Sequence, residues 1–75
     1  MKAYVLMHIR VGSISEVVKN LQRTEGVHEA HMTFGPYDVV AEIEANDAKT
    51  LGLLLATRIH PIPGVMDTTT LLVTD

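Results

Sequence analysis

The strongest constraint on the fold is a turn near the middle of the chain, Phe34-Gly35-Pro36-Tyr37-Asp38, set between two strand-like runs, Val27 to Phe34 and Asp38 to Ala45. Glycine supplies positive φ without steric cost, proline presets φ and removes an amide donor, and aspartate can bond its own backbone. Turn chemistry alone therefore explains Gly35, Pro36 and Asp38. An ordinary hairpin needs only Asn-Gly, however, whereas this turn also carries a phenol and a carboxylate at its mouth.

The runs on either side extend this hairpin into a pattern. Ala3 to Ile9 is apolar and β-rich, nearly continuous rather than alternating, which predicts a first strand buried on both faces. Val11-Gly12-Ser13 breaks it. Ser13 or Ser15 can then cap a helix from Ile14 to Thr24 with an apolar stripe of Ile14, Val17, Val18 and Leu21, closed by Gly26 at C′. In the second strand, alternation puts His28, Ala30, Met32 and Phe34 on one face and Glu29, His31 and Thr33 on the other. Its charges mark it as an edge. The third strand has Val39, Ala41 and Ile43 opposite Val40, Glu42 and Glu44. Asn46 or Asp47 caps a second helix from Ala48 to Ile59, in which Gly52 marks close packing. After His60-Pro61-Ile62-Pro63-Gly64, a fourth strand runs from Val65 to Thr74. Its Val65, Asp67, Thr69, Leu71 and Val73 lie opposite Met66, Thr68, Thr70, Leu72 and Thr74.

This order predicts an α+β, ferredoxin-like βαββαβ fold: one antiparallel four-stranded sheet, spatial order 4-1-3-2, with both helices on one face. Tyr4, Leu6, Val40 and Leu72 would line the uncovered face. A 75-residue chain without Cys has no disulfide to support it, and its single Phe, two Tyr and no Trp predict an aliphatic core. A homodimer that buries the open face is the expected support.

The formal net charge of −3 and a pI near 5.7, with Lys and Arg scattered, argue against direct binding to DNA or RNA. No membrane-spanning run or signal peptide is visible, so the expected location is the cytoplasm. No cofactor is implied, since the chain has no nucleophile–base pair and no Gly-rich phosphate loop. His28 and His31, three apart on a strand, would face opposite ways, and no metal site is expected. Thr68-Thr69-Thr70 reads first as β-propensity, although Thr68 and Thr70 project hydroxyls from one face that suit an amine and a carboxylate.

Gly35-Pro36-Tyr37-Asp38, Ile62-Pro63-Gly64-Val65 and Thr68-Thr69-Thr70-Leu71-Leu72-Val73 together resemble the effector-sensing domain of the Lrp/AsnC regulators, the RAM domain (regulation of amino-acid metabolism). The family pattern is G-x-Y-D between strands 2 and 3, then p-G-V-x-x-T-x-T-x-x-V through strand 4. The resemblance covers essentially the whole chain, and Pro36 fills a variable position. It implies a single RAM domain over residues 1–75, without the winged helix-turn-helix of full-length members. It also implies dimers joined through their sheet faces and assembled into octamers or decamers, with amino acids or related small metabolites bound between dimers. On that reading Gly35, Tyr37, Asp38, Thr68 and Thr70 bind the effector, and mixed assembly with full-length Lrp/AsnC regulators follows. The function implied is sensing without catalysis. The alternative is a small dimeric α+β barrel enzyme of monooxygenase or isomerase type, which would need a pocket lined by His8 or His31 with a carboxylate.

Overall fold

The computed structural model describes all 75 residues, Met1–Asp75. Its elements are β1 (Lys2–Ile9), α1 (Ile14–Gln22), β2 (Val27–Met32), β3 (Val39–Glu44), α2 (Ala48–Leu54), a π-helical turn (Leu55–Ile59) and β4 (Val65–Leu72). The strands form one sheet in the order β2-β3-β1-β4, every neighbouring pair antiparallel. The ferredoxin-like plan and its spatial order are thus as expected. No helix is long and apolar enough to cross a membrane.

The core lies between the sheet and the helices and is wholly aliphatic. Ala3, Val5, Met7 and Ile9 of β1 meet Val39, Ala41 and Ile43 of β3, beneath Val17 and Leu21 of α1 and Leu51 of α2. No polar side chain is buried. Burial alternates strictly along β1, so its nearly continuous apolar run is not buried on both faces within one chain: Tyr4, Leu6 and His8 point to the open side, half-buried.

Two bulges correct the predicted strand faces. In β2 the register against β3 shifts between Val27 and Glu29, so Val27 and Ala30 both face the core. His28 is thereby turned to the open face, where its ring lies 3.6 Å from Glu42 and 3.4 Å from Glu44, and His31 shares that face with it. In β4 the register against β1 shifts between His8 and Ile9. Below this shift Thr68, Thr70 and Leu72 pair with the core-facing Met7, Val5 and Ala3, while Asp67, Thr69 and Leu71 join the open face. Leu71, opposite Tyr4, therefore takes the open-face place expected for Leu72. A bulge leaves one residue without a partner and reverses the facing of everything beyond it.

The helices start as their sequences predict but end differently. Asp47 caps α2, its carboxylate accepting from the Thr50 amide at 2.8 Å. Ser13 occupies the N-cap position of α1 without a side-chain cap bond. Its side chain packs instead against Gly64, where φ is +102° and a Cβ would lie 2.6 Å from Ser13 Cβ. Helix α1 stops at Gln22, and Gly26 lies in the turn entering β2 rather than at C′. Gly52 is exposed, and a methyl added to it would meet nothing within 4 Å, so it marks no close packing. The second helix finishes as a π turn in which His60 N–H donates to Leu55 O at 2.8 Å. At α-helical spacing, the eight steps from Leu51 would leave Ile59 about 80° from the core-facing line. The wider turn takes up that angle, and Leu51 and Ile59 are both buried.

Candidate functional site

Most of the predicted site residues gather around the C-terminal end of β1, which the 34–38 turn approaches from one side and β4 from the other. Thr33 begins the turn by donating its amide to Asp38 O at 2.9 Å and its hydroxyl to Tyr37 O at 2.7 Å. Asp38 then fastens the turn to β1. Its amide donates to Met7 O at 2.9 Å, and its Oδ2 accepts from Ile9 N–H at 2.8 Å. The carboxylate thus satisfies an amide just past the end of the β1–β3 ladder, which stops at Met7 and Val39, and Asp38 also lines a cavity of about 360 Å3 with Ile14, Met32, Thr33 and Phe34. Gly35 has φ +152° and open space around it, and Phe34 beside it is fully exposed.

His8, expected from the sequence only beside a carboxylate in the enzyme alternative, holds the turn and β4 together, a role the sequence did not reveal. Its Nδ1 lies 2.7 Å from Asp67 Oδ1 and its Nε2 2.7 Å from Pro36 O, and the Tyr37 ring stacks on it at 4.7 Å between centroids and 18° between planes. One imidazole therefore joins the turn to β4. Its pKa is raised from 6.5, chiefly by the Asp67 hydrogen bond and then by the Pro36 carbonyl; nearby Asp67 and Asp38 charges add to the rise and desolvation opposes it. The signal that could have found this pair is cross-strand: His8 and Asp67 are direct partners in the β1–β4 register.

On β4, Thr68 Oγ1 lies 3.0 Å from His60 Nε2, and the two residues line a cavity of about 210 Å3 with Val65, Met66 and Asp67. Thr70 is exposed and borders no cavity. Because Thr68 and Thr70 follow the facing of Met7 and Val5, they stand on the helix side of the sheet, whereas Tyr37 stacks on His8 on the open side. Four of the five predicted residues share one end of the sheet, Thr70 sits opposite Val5 midway along β1, and the five do not share one face. A small ligand on a single copy could not touch them all.

Elsewhere on the open face, Tyr4, Glu29, His31, Val40 and Glu42 border a cavity of about 250 Å3, with His31 Nε2 2.9 Å from Glu29 Oε1. No three His, Cys, Asp or Glu side chains are arranged to hold a metal ion.

Comparison with known proteins agrees with this architecture. A family model described as the Lrp/AsnC ligand binding domain matches residues 2–75. The HTH-type transcriptional regulator FL11 of Pyrococcus abyssi is 36% identical over 73 residues, covering 97% of this chain and 48% of the regulator. The chain thus spans about half the length of that relative. AsnC of E. coli superposes with a TM-score of 0.93 at 20% identity, over 99% of this chain and 50% of AsnC. A transcriptional regulator of Neisseria meningitidis, solved as its L-Met complex, superposes with a TM-score of 0.88 at 16% identity, over 99% of this chain and 49% of its own. The last two likenesses speak for the fold, and the family match carries the assignment: the chain belongs to the Lrp/AsnC ligand-binding-domain family.

Proposed function

We propose that the chain is a non-catalytic sensing module that binds an amino acid or a related small metabolite where copies of the chain meet. The observation that carries this reading is the meeting of two segments, the Gly35–Asp38 turn and β4, at the end of β1. Tyr37 and the Thr68–Thr70 hydroxyls lie on opposite faces of the sheet, so a second copy is needed to enclose a ligand. Asp38 offers a carboxylate for an ammonium group, and Thr68 and Thr70 offer hydroxyls. The open face, with Tyr4, Leu6, Val40 and Leu71, is the surface for a homodimer, and dimers assemble further into octamers or decamers. The Neisseria regulator's complex with L-Met makes amino acids the first ligands to test.

With a net charge of −3 and no basic run, the chain does not bind DNA by itself. Mixed assembly with full-length relatives would give it a regulatory output in the cytoplasm. A thermal-shift screen of the twenty amino acids, run beside light scattering, tests the reading. A ligand at a hundred times its Kd stabilises by about 2.7 kcal/mol, which in a domain this small moves Tm by on the order of 10 °C. Twenty flat responses would refute amino-acid sensing, and a scattering mass of 8.2 kDa would refute the assembly.

Of the two histidines the enzyme alternative needs beside a carboxylate, His8 meets Asp67 but borders no cavity, so the cavity lined by His31, Glu29 and Glu42 is the observation that favours that alternative. The His31 and Glu29 side chains are 61% and 62% exposed, however, and so strongly screened by solvent. Catalytic acid–base groups are ordinarily tuned by burial or a close charge, and this pair sits in water. The regulators among the relatives also favour sensing.

A further inference from the structure

We propose that His8 is a positioning residue that clamps the tip of the turn to β4 only as an imidazolium, so that protons control the shape of the proposed ligand site. Both of its ring nitrogens lie 2.7 Å from an oxygen, Asp67 Oδ1 on one side and Pro36 O on the other. A carboxylate and a peptide carbonyl are both acceptors, with no proton to offer. Satisfying the two contacts together takes two N–H donors. A neutral imidazole has one, and its second nitrogen would turn a lone pair on an oxygen at hydrogen-bonding distance. Protonating Asp67 instead would place the proton on a group of ordinary pKa about 3.9 rather than on one of about 6.5.

The surroundings also favour the cation. Asp67 faces the ring from β4, Asp38 contributes its charge from the turn, and the Tyr37 ring covers one face within cation–π range. The raised pKa of His8 has the same sense. A group whose folded pKa is raised stabilises the fold fully below its unfolded value, here 6.5, and loses that contribution as pH climbs through the folded value. Above it, the ring keeps one partner and releases the other. Asp38 still pins the base of the turn through Met7 O and Ile9 N, so what loosens is the tip that carries Gly35, Pro36 and Tyr37.

The consequence for a ligand rests on the sensing role proposed above, but the clamp does not, and its test needs no ligand. Side-chain 15N NMR of the histidine-labelled protein should show both His8 nitrogens protonated at low pH, with a midpoint above 6.5. The backbone amides of Gly35 and Tyr37 should titrate with that same midpoint. Asp67→Asn gives the discriminating readout, because its amide can donate to a neutral Nδ1 and leave Nε2–H for Pro36 O. In that variant the turn amides should stay flat between about pH 5 and 8, the range in which histidine ordinarily changes charge. A merely structural His8 predicts no such flattening. A midpoint at or below 6.5, turn amides that ignore it, or an Asp67→Asn variant that titrates like the wild type would each overturn the proposal. A chain that binds none of the twenty amino acids would refute the sensing role while leaving these readouts intact.

Discussion

Replacing Gly64 by alanine should be among the most damaging single-methyl changes in the chain, and the structure allows its cost to be divided. Gly64 holds φ at +102°, and the added Cβ would stand 2.6 Å from Ser13 Cβ, 3.1 Å from Ser13 Oγ and 3.2 Å from Val17 Cγ2. The torsional part costs an L-residue roughly 1–2 kcal/mol. Overpacking against the first turn of α1 adds roughly 1–3 kcal/mol, because the nearest atom belongs to a Cβ fixed on its own backbone. The chain cannot simply recoil, since Gly64 O accepts the Arg10 amide at 2.7 Å beside the end of β1. Gly12→Ala supplies the control: φ there is +90°, and nothing lies within 4 Å of the new methyl. For a domain of 60–100 residues each kcal/mol moves Tm by about 4–8 °C. Gly12→Ala should therefore lower Tm by roughly 5–15 °C, and Gly64→Ala by roughly 10–40 °C. Differential scanning calorimetry of both variants at one protein concentration measures the difference. If Gly64→Ala costs no more than Gly12→Ala, the close approach of the connector to α1 has no energetic weight and the reasoning fails.

Three further outcomes can be checked. Asp38→Ala should lower thermal stability even without ligand, by about 1–3 kcal/mol, because it strands the half-buried Ile9 amide; Asp38→Asn, which keeps an acceptor oxygen, should lose less, and equal Tm values would discount the clip. Leu6→Glu on the open face should lower the mass seen by light scattering while circular dichroism keeps its shape, and an unchanged mass would move the dimer contact elsewhere. The Asp47 pKa is lowered from 3.8, mainly by the Thr50 amide, so its support of α2 is complete above 3.8 and is lost as pH falls through the lower folded value. Acid titration of helical ellipticity should accordingly show a step below pH 3.8 that Asp47→Ala lacks.

The element order, the core face of β3 and the Asp47 cap were legible because each rests on residues close in sequence, and the sheet topology followed because few connections satisfy that element order. The two bulges were not. Each depends on which residue of a neighbouring strand competes for a partner, and strict alternation carried the wrong parity through His28 in β2 and past Asp67 in β4. Asp38 was legible as a turn residue, but its bond to Ile9 spans 29 positions, and the contacts of His8 span 28 and 59. No local pattern carries such pairs. Thr68 and Thr70 were correctly given a shared face, yet the bulge decides which side of the sheet that face is on.

The π turn at the end of α2 makes the helix a place where chain length can change. Along the sequence, Leu51 and Ile59 are separated by one residue more than a heptad. Removing an exposed residue such as Thr57 would let residues 48–58 close as an uninterrupted α-helix, seven steps that bring the isoleucine back within about 20° of Leu51. Single deletions inside helices ordinarily rotate everything downstream out of phase. Here the deletion would restore phase, so a chain one residue shorter at this point can keep the same connector, the same β4 and the same open face. The wider turn has the form of an absorbed insertion, one that the domain can hold or give back without re-threading its sheet.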